Sequence, residues 1–350
     1  MSQSPIRVGI AGLGRSGWNI HAHSFEQLPQ HYQVVAAMDF DAARRDEAAA
    51  KFGARTYDDY DALLADENVE MVAVATPNSA HKPNVVAALE AGKHAVCEKP
   101  FGTTSAEADE MIAAAKRTGK IVAPFQNRRY ESHFQKVREV IASGVLGEIH
   151  LIRLFVHGFS RRWDWQTLRE FSGGFLNNWG PHVVDHALQL MNLDDDAPDP
   201  ELWVDMRNVL SSGDAEDHIK LVLRAPGGPA VDIELSSAIA FAQDRWLVAG
   251  KSGALRGTTS QLEWKWVDWS AMPDRPIDHE PTAGRSYNSE KLEWQSGEWS
   301  GGNNDNDLMV AFYRELFESV RNGAPLTVTP QSVRRQIAII ERAKEIGGFS

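Results

Sequence analysis

Gly12-Leu13-Gly14-Arg15-Ser16-Gly17 is a G-x-G-x-x-G turn that follows the apolar run Ile6–Ala11, and Asp39 closes a second apolar run, Val34–Met38. Residue types and spacing suit a dinucleotide. Gly12 permits a tight strand-to-helix turn, Gly14 lets backbone approach a pyrophosphate, and Gly17 lets the next helix pack close to the strand. Amides at the start of that helix then face the phosphates. Asp39 accepts the hydroxyls of an adenosine ribose and repels a 2′-phosphate, which favours NAD over NADP. In the competing reading Asp39 only ends a strand, while Arg44 or Arg45 holds a phosphate.

Other reactive side chains follow. Thr76-Pro77-Asn78 and Glu98-Lys99-Pro100 each stop a short apolar run. The bond before Pro100 is expected to be trans, cis being the exception that some tight functional turns use. Gly173-Gly174 opens a stretch that carries Asn178, His182, Asp185 and His186. Histidine titrates near neutrality and suits the exchange of a hydroxyl proton. His182 and His186 also have the i, i+4 spacing of a metal-binding helix, but no distant third ligand is indicated. A hydrogen-bonded structural face is the favoured reading, and no metal is expected. In Arg161-Arg162-Trp163-Asp164-Trp165-Gln166 the indoles suit the C–H face of a sugar ring, and Arg162, Asp164 and Gln166 suit its hydroxyls. Packing in a core or subunit interface is the commoner use of tryptophan. His21, His23, His81 and His157 read as helix-end or packing residues.

The elements that must position these residues fall into two patterns. In the first half, strands at 6–11, 34–38, 71–75, 94–97 and 121–125 alternate with helices at 42–52, 59–64, 82–91 and 105–118, several of which stop at glycine. Alternation of this kind predicts right-handed crossovers and a parallel sheet, with ligands beyond the carboxyl ends of the strands. The glycine turn, Asp39, Thr76–Asn78 and Glu98–Pro100 all lie at those ends. Beyond Gln126, after a helix over 132–143, strand-like segments at 148–156, 201–209, 218–223, 230–236, 245–248 and 262–269 follow one another, several with period-two alternation as in His218–Leu223. Consecutive strands predict a mainly antiparallel open sheet with one face covered. The predicted organisation is an α/β Rossmann domain over 1–126 and an α+β domain over 127–350 for substrate binding and oligomerisation, with late helices led by Leu308 and by Thr329-Pro330.

Composition narrows the function classes. The chain has 350 residues, enough for two cores, and its hydrophobic share of 43% is ordinary for a globular protein. A net charge of -12 without a basic block argues against a nucleic-acid partner. The single cysteine, Cys97, excludes an internal disulfide. No run is long enough to cross a bilayer, and nothing before Ile6 reads as an export signal, so a cytoplasmic setting is expected.

Gly12-x-Gly14-x-x-Gly17, Ala75-Thr76-Pro77-Asn78-x-x-His81 and Ala91-Gly92-Lys93-His94 leading to Glu98-Lys99-Pro100 together resemble the glucose–fructose oxidoreductase, inositol dehydrogenase and rhizopine-catabolism family of nicotinamide oxidoreductases. The resemblance runs through nearly the whole chain. It implies cofactor contacts at Gly12, Leu13, Gly14, Arg15, Ser16, Asp39, Thr76, Pro77, Asn78, His81, Glu98, Lys99 and Asn127. It implies substrate contacts at Lys99, Arg128, Asn178 and His182, to which the tryptophan loop would add Arg162, Trp163, Asp164 and Trp165. In that family the lysine of Glu-Lys-Pro reaches nicotinamide and substrate, a position held here by Lys99. The stretch after Gly173-Gly174 resembles the family's Asp-x-x-x-His signature, with His182 at the histidine and Asn178 at the acid. That departure removes a charge, so Asn178 orients groups while Lys99, its pKa lowered, can share the base role with His182.

The resemblance implies an oxidoreductase moving a hydride between NAD and a secondary hydroxyl of a cyclitol, sugar or sugar derivative. It also implies a homodimer or homotetramer formed through the open face of the second sheet. Two other readings stay open. One is a sugar-sensing protein that binds NAD without turnover, and the other is glycoside cleavage or elimination through transient oxidation.

Overall fold

The computed structural model describes residues 4–193, 197–280, 287–302 and 305–349. Strands β1 (Ile6–Ala11), β2 (Tyr32–Met38), β3 (Arg55–Tyr57), β4 (Met71–Val74), β5 (His94–Cys97) and β6 (Val122–Pro124) form a six-stranded sheet in the order β3-β2-β1-β4-β5-β6. Every pair in it is parallel. The central strands are buried apart from Arg7 of β1 and His94 of β5, as expected of a sheet covered on both faces, which is why they read as nearly continuous apolar runs. The helices are α1 (His23–Gln27), α2 (Ala42–Phe52), α3 (Tyr60–Ala65), α4 (His81–Glu90) and α5 (Ser105–Thr118). Their ends follow the local chemistry. Asp41 accepts from the Ala43 amide at the start of α2, Thr104 accepts from the Glu107 amide at the start of α5, and Gly53 and Gly119 close the two helices in the left-handed region. The chain runs outward from β1 to β3 and then crosses to β4, so the strand order reverses between β1 and β4. Ligands in such sheets bind at that reversal.

The second half carries α6 (Ser132–Ala142), β7 (Ile149–His157), α7 (Phe175–Met191), β8 (Glu201–Arg207), β9 (His218–Arg224), β10 (Ala230–Ser236), β11 (Trp246–Gly250), β12 (Gly253–Gly257), β13 (Gln261–Val267), β14 (Trp294–Ser300), α8 (Asp305–Asn322) and α9 (Pro330–Gly347). The eight strands lie in the order β14-β13-β12-β11-β7-β10-β9-β8. Only β7 with β10 is a parallel pair; the others are antiparallel. Ile219, Leu221 and Leu223 of β9 and Val231, Ile233 and Leu235 of β10 point into a core shared with α7 and α9, while Lys220, Asp232 and Glu234 alternate onto the open face. There Lys220 bridges Asp232 at 2.7 Å and Glu234 at 2.8 Å. The first core is completed by residues from far along the chain: Phe312, Tyr313, Leu316 and Phe317 of α8 pack into it.

Three strands lie outside the sequence expectation. β3 has three residues at a sheet edge. β12 begins and ends in glycine, and β14 is a mostly exposed edge strand whose two tryptophans, Trp294 and Trp299, are five residues apart, so neither shows a buried apolar period. The Lys99–Pro100 bond is cis, against the trans expectation. Among the described residues no helix is long and apolar enough to cross a membrane.

Candidate active site

The glycine turn is built for backbone proximity. Gly12 has φ +89°, and a Cβ there would lie 2.6 Å from the carbonyl oxygen of Ala75, the residue after β4. A Cβ on Gly17 would lie 1.8 Å from the Gly12 carbonyl oxygen, so no larger residue fits without moving the turn. Beside Gly14, in contrast, a Cβ would meet nothing within 4 Å. That open space beside the backbone is what an approaching pyrophosphate requires, so the turn fits a dinucleotide. After it the chain takes a π-helical turn, Gly17–Ala22, before α1.

Asp39 leaves β2 with its carboxylate turned back to the turn. It accepts from the Leu13 amide at 2.8 Å and from the Asp41 amide at 2.9 Å, and Arg44 approaches at 3.4 Å. Burial alone would raise its pKa, but the two amides and Arg44 outweigh it and hold the carboxyl below its usual value. A carboxylate has further acceptor sites, so ribose hydroxyls can still be taken. Phe40, next to it, is 84% exposed, which leaves its ring free to lie against a base. Arg45 is turned to the Asp39 and Phe40 carbonyls, at 2.8 and 3.1 Å.

A cavity of about 530 Å³ opens at the strand reversal, between the two sheets. Arg15 and Ser16 of the glycine turn line it together with Thr76, Asn78, His81, Glu98, Lys99 and Asn127. From the second half it receives Arg128, Trp165, Asn178 and His182. Gly12, Leu13, Gly14 and Asp39 stand behind this wall, and Pro77 is also outside it. His81 clamps two of the loops, its ring nitrogens lying 2.7 Å from the Pro100 carbonyl and 2.9 Å from the Thr76 carbonyl.

Lys99 and His182 therefore face one space. Burial draws the Lys99 amine below its ordinary pKa; Glu98 opposes this, and Arg128 and Arg15 reinforce it. His182, 7% exposed, sits well below the usual imidazole range, first through burial and then through Arg128, Lys99 and His186, with Glu131 opposing. Its Nδ1 has no hydrogen-bond partner among the described residues. A neutral imidazole and an amine with a lowered pKa are the two groups a proton acceptor site needs near neutrality. Arg128 is held by an ion pair with Glu131 and lies 5.1 Å over the Trp179 ring.

The rival histidine reading meets other commitments. Asp185 is bound in two places by Arg129, at 2.8 and 2.5 Å, and Arg129 also reaches the Thr327 carbonyl and Ser332 Oγ. The His186 ring stacks on Phe134 at 4.0 Å, and its Nε2 lies 3.0 Å from the Arg128 carbonyl. Among the described residues no group of three His, Cys, Asp or Glu is placed to hold a metal ion.

The tryptophan loop divides. Trp165 reaches the cavity, while Trp163 is 80% exposed and lies outside it. Asp164 caps a short turn through the Gln166 amide and pairs with Arg162, and it does not line the cavity. Arg162 instead borders a second cavity of about 280 Å³, which meets the first at Gln166, Gly174 and Trp179. Sequence reasoning passed over several lining residues, among them Asn177, Trp179 and Lys344. Asn177 and Trp179 flank Asn178 and are readable once α7 is placed. Lys344 reaches in from α9, and no local pattern announces it.

Residues 6–126 match the model of an oxidoreductase family with an NAD-binding Rossmann fold, and residues 134–256 match the GFO/IDH/MocA C-terminal domain. A D-glucoside 3-dehydrogenase of Escherichia coli is 35% identical over 55% of this chain and 55% of that protein. A scyllo-inositol 2-dehydrogenase (NADP(+)) of Bacillus subtilis is 25% identical over 97% of this chain and 93% of its own length. The chain spans about half the length of several of the curated relatives it matches. An NAD-binding protein from Listeria innocua has the same fold, with a TM-score of 0.80 at 26% identity over 99% of this chain and 98% of that one.

Proposed function

The chain belongs to the GFO/IDH/MocA family of oxidoreductases, and from that premise we propose that it oxidises a secondary hydroxyl of a cyclitol, sugar or sugar derivative, or reduces the corresponding ketone, with NAD. The observation that carries this reading is the shared cavity: Lys99 and His182 line the same space as Arg15 and Ser16 of the glycine turn. Gly12 to Ser16, Asp39, Thr76, Asn78 and Asn127 hold the cofactor, and Asp39 makes NAD the preferred form. When bound, the oxidised nicotinamide supplies the acceptor for the carbinol hydride. His182, neutral and buried, takes the hydroxyl proton, and Lys99 hydrogen-bonds the oxygen as the bond to hydrogen breaks. Asn178 orients the hydroxyl without adding charge, Arg128 contacts the substrate, and Trp165 offers its indole to the C–H face of the ring. The chain assembles as a dimer or tetramer through the open face of the eight-stranded sheet, where Trp203 is 57% exposed.

Asn178 favours one other reading, a protein that binds NAD and a sugar without turnover. Incubating the purified chain with NAD or NADP and a panel of inositols, sugars and glycosides decides between them. Net NADH with at least one polyol is the expected result. Saturable sugar binding with no NADH would support the sensor, and product without net NADH would support cleavage through transient oxidation.

A further inference from the structure

We propose that His21 and Tyr313 are positioning residues for Lys99: Tyr313 fixes the His21 ring, His21 keeps Glu98 a carboxylate, and Glu98 sets the charge of the lysine. The inference rests on the reading that Lys99 works at the substrate hydroxyl.

Glu98, at the cavity wall, is 7% exposed, and His21 and Tyr313 behind it are 0% exposed, so the chain runs from the cavity into the core. A carboxylate buried in this way must be hydrogen-bonded or paired to stay ionised. Glu98 Oε2 accepts from the Lys99 amide at 2.9 Å. Its Oε1 lies 3.3 Å from His21 Nε2, an ion-pair approach, and neither atom has a hydrogen-bond partner among the described residues, so each is the other's nearest polar complement. On the far side His21 Nδ1 meets the Tyr313 hydroxyl. A Tyr313 hydroxyl that donates to Nδ1 would leave the ring proton on Nε2, the atom that faces the carboxylate. The ring is also held by Phe125, at 4.7 Å between centroids.

The placement has a structural cause at each end. His21 lies in the π-helical turn that follows the glycine loop, and such turns recur at functional sites because they rotate a side chain out of the ordinary helical register. Tyr313 belongs to α8, from the other half of the chain, and its carbonyl accepts from the Tyr32 hydroxyl at 2.6 Å. Closing the first core with α8 thus also sets the electrostatics of the cavity.

The charges that face this chain balance in a definite way. Burial pushes Glu98 upward, but His21, the Lys99 amide and the Lys99 charge outweigh it. The Cys97 thiol beside it is raised by burial and by Glu98, and so is Tyr313, by burial, Tyr32 and Glu98. Around Lys99 stand Glu98, Arg128 and Arg15, with His182 across the cavity. Without the His21 contact, Glu98 loses the largest influence that opposes burial, and its carboxyl moves toward the protonated form. Lys99 then loses the carboxylate that opposes burial and the two arginines, so its pKa falls.

The test reads Lys99 itself. Acylation of the full chain by acetic anhydride, followed residue by residue by peptide mass spectrometry across pH, gives the midpoint at which the Lys99 amine becomes reactive. His21→Leu is expected to lower that midpoint by about one unit or more, the usual size of a lost neighbouring charge, and Glu98→Gln to do the same. Tyr313→Phe, which keeps the packing, should lower it by less, while His21→Gln, which still offers a donor to Glu98, should restore it. If Glu98→Gln moves the midpoint but His21→Leu and Tyr313→Phe leave it in place in folded protein, the chain is refuted. No movement in any variant, or a rise, refutes it as well. No substrate is required, so a substrate panel that yields no NADH would refute the proposed reaction and leave this result standing.

Discussion

Restoring a carboxylate at position 178 tests the electrostatics of the site most directly. Asn178 lines the cavity on α7, one turn before His182, so their Cβ atoms lie about 6 Å apart. At that distance, with an effective dielectric constant of about 20, the carboxylate introduced by Asn178→Asp would interact with a protonated His182 by about 3 kcal/mol, equivalent to about 2 pH units. His182 starts well below its ordinary range because burial, Arg128, Lys99 and His186 all disfavour its charged form. Asn178→Asp should therefore move the acid limb of kcat/KM for polyol oxidation to higher pH by about one to two units, the lower figure allowing for Lys99 sharing the new carboxylate. Asn178→Ala removes the amide without adding charge and should lower the rate while leaving the limb in place. Initial rates of NADH formation across pH measure both variants, and imidazole resonances followed by NMR give the His182 midpoint independently. An unchanged limb in Asn178→Asp, or a shift matched by Asn178→Ala, would place residue 178 outside the proton path.

Other perturbations follow from the same geometry. Gly17→Ala places a methyl 1.8 Å from the Gly12 carbonyl oxygen and should abolish NADH binding in a fluorescence titration; retained affinity would show that the turn does not hold the dinucleotide. Asp39→Ala removes the acceptor for Leu13, Asp41 and the ribose, and should weaken NAD binding by about ten- to a hundredfold, from about 1.5–3 kcal/mol per charged hydrogen bond, while NADP is affected less. Equal losses for both cofactors would remove Asp39 from ribose recognition. Arg129→Met strands the buried Asp185 and should cost about 3–5 kcal/mol in urea unfolding, with Arg129→Met/Asp185→Leu recovering much of the loss. Burial drops His186 to about 3, against the pull of Glu131, whereas an unfolded histidine titrates at about 6.5. As pH falls below about 6.5 the unfolded chain binds the proton first, so the stability present above that pH is lost on the way down to about 3. From pH 6.5 to 5 this one histidine accounts for at most about 2 kcal/mol, read as a lower urea midpoint; a constant midpoint would contradict a buried neutral His186.

How legible these features were in the sequence tracks how local their causes are. The glycine turn, Asp39 and the caps at Asp41, Thr104 and Gly119 are each settled within a few residues, and the period-two pattern of β9 and β10 needs only one covered face. The meeting of Lys99 with His182 came from the family resemblance; strand-end logic alone places Lys99, since α7 belongs to the other sheet. Features set by distant packing were not legible. Arg129 with Asp185, Trp246 with His133, and Tyr313 with His21 join residues whose own neighbours announce nothing. Trp163 and Trp165 show the same limit within three residues: their types are identical, yet only Trp165 is turned to the cavity.

In the proposed reaction, the distribution of charge is what makes asparagine at 178 compatible with proton transfer. Four cations, Arg15, Lys99, Arg128 and Lys344, line the cavity, while Glu98 and Glu131, which oppose the charges beside Lys99 and His182, are buried at 7% and 3% exposure. With an acid at 178, the charged forms of His182 and Lys99 would be stabilised, and each would release its proton only at higher pH. With asparagine there, burial and the nearby Arg128 lower both pKa values, and the same two groups are nearer their neutral, proton-accepting forms. Substitution at this one position therefore exchanges a charge-balanced pair for one poised by desolvation. Its base character then depends on the buried carboxylates that limit the fall, so any change that neutralises Glu98 or Glu131 should be felt more strongly here than in a relative that keeps the acid.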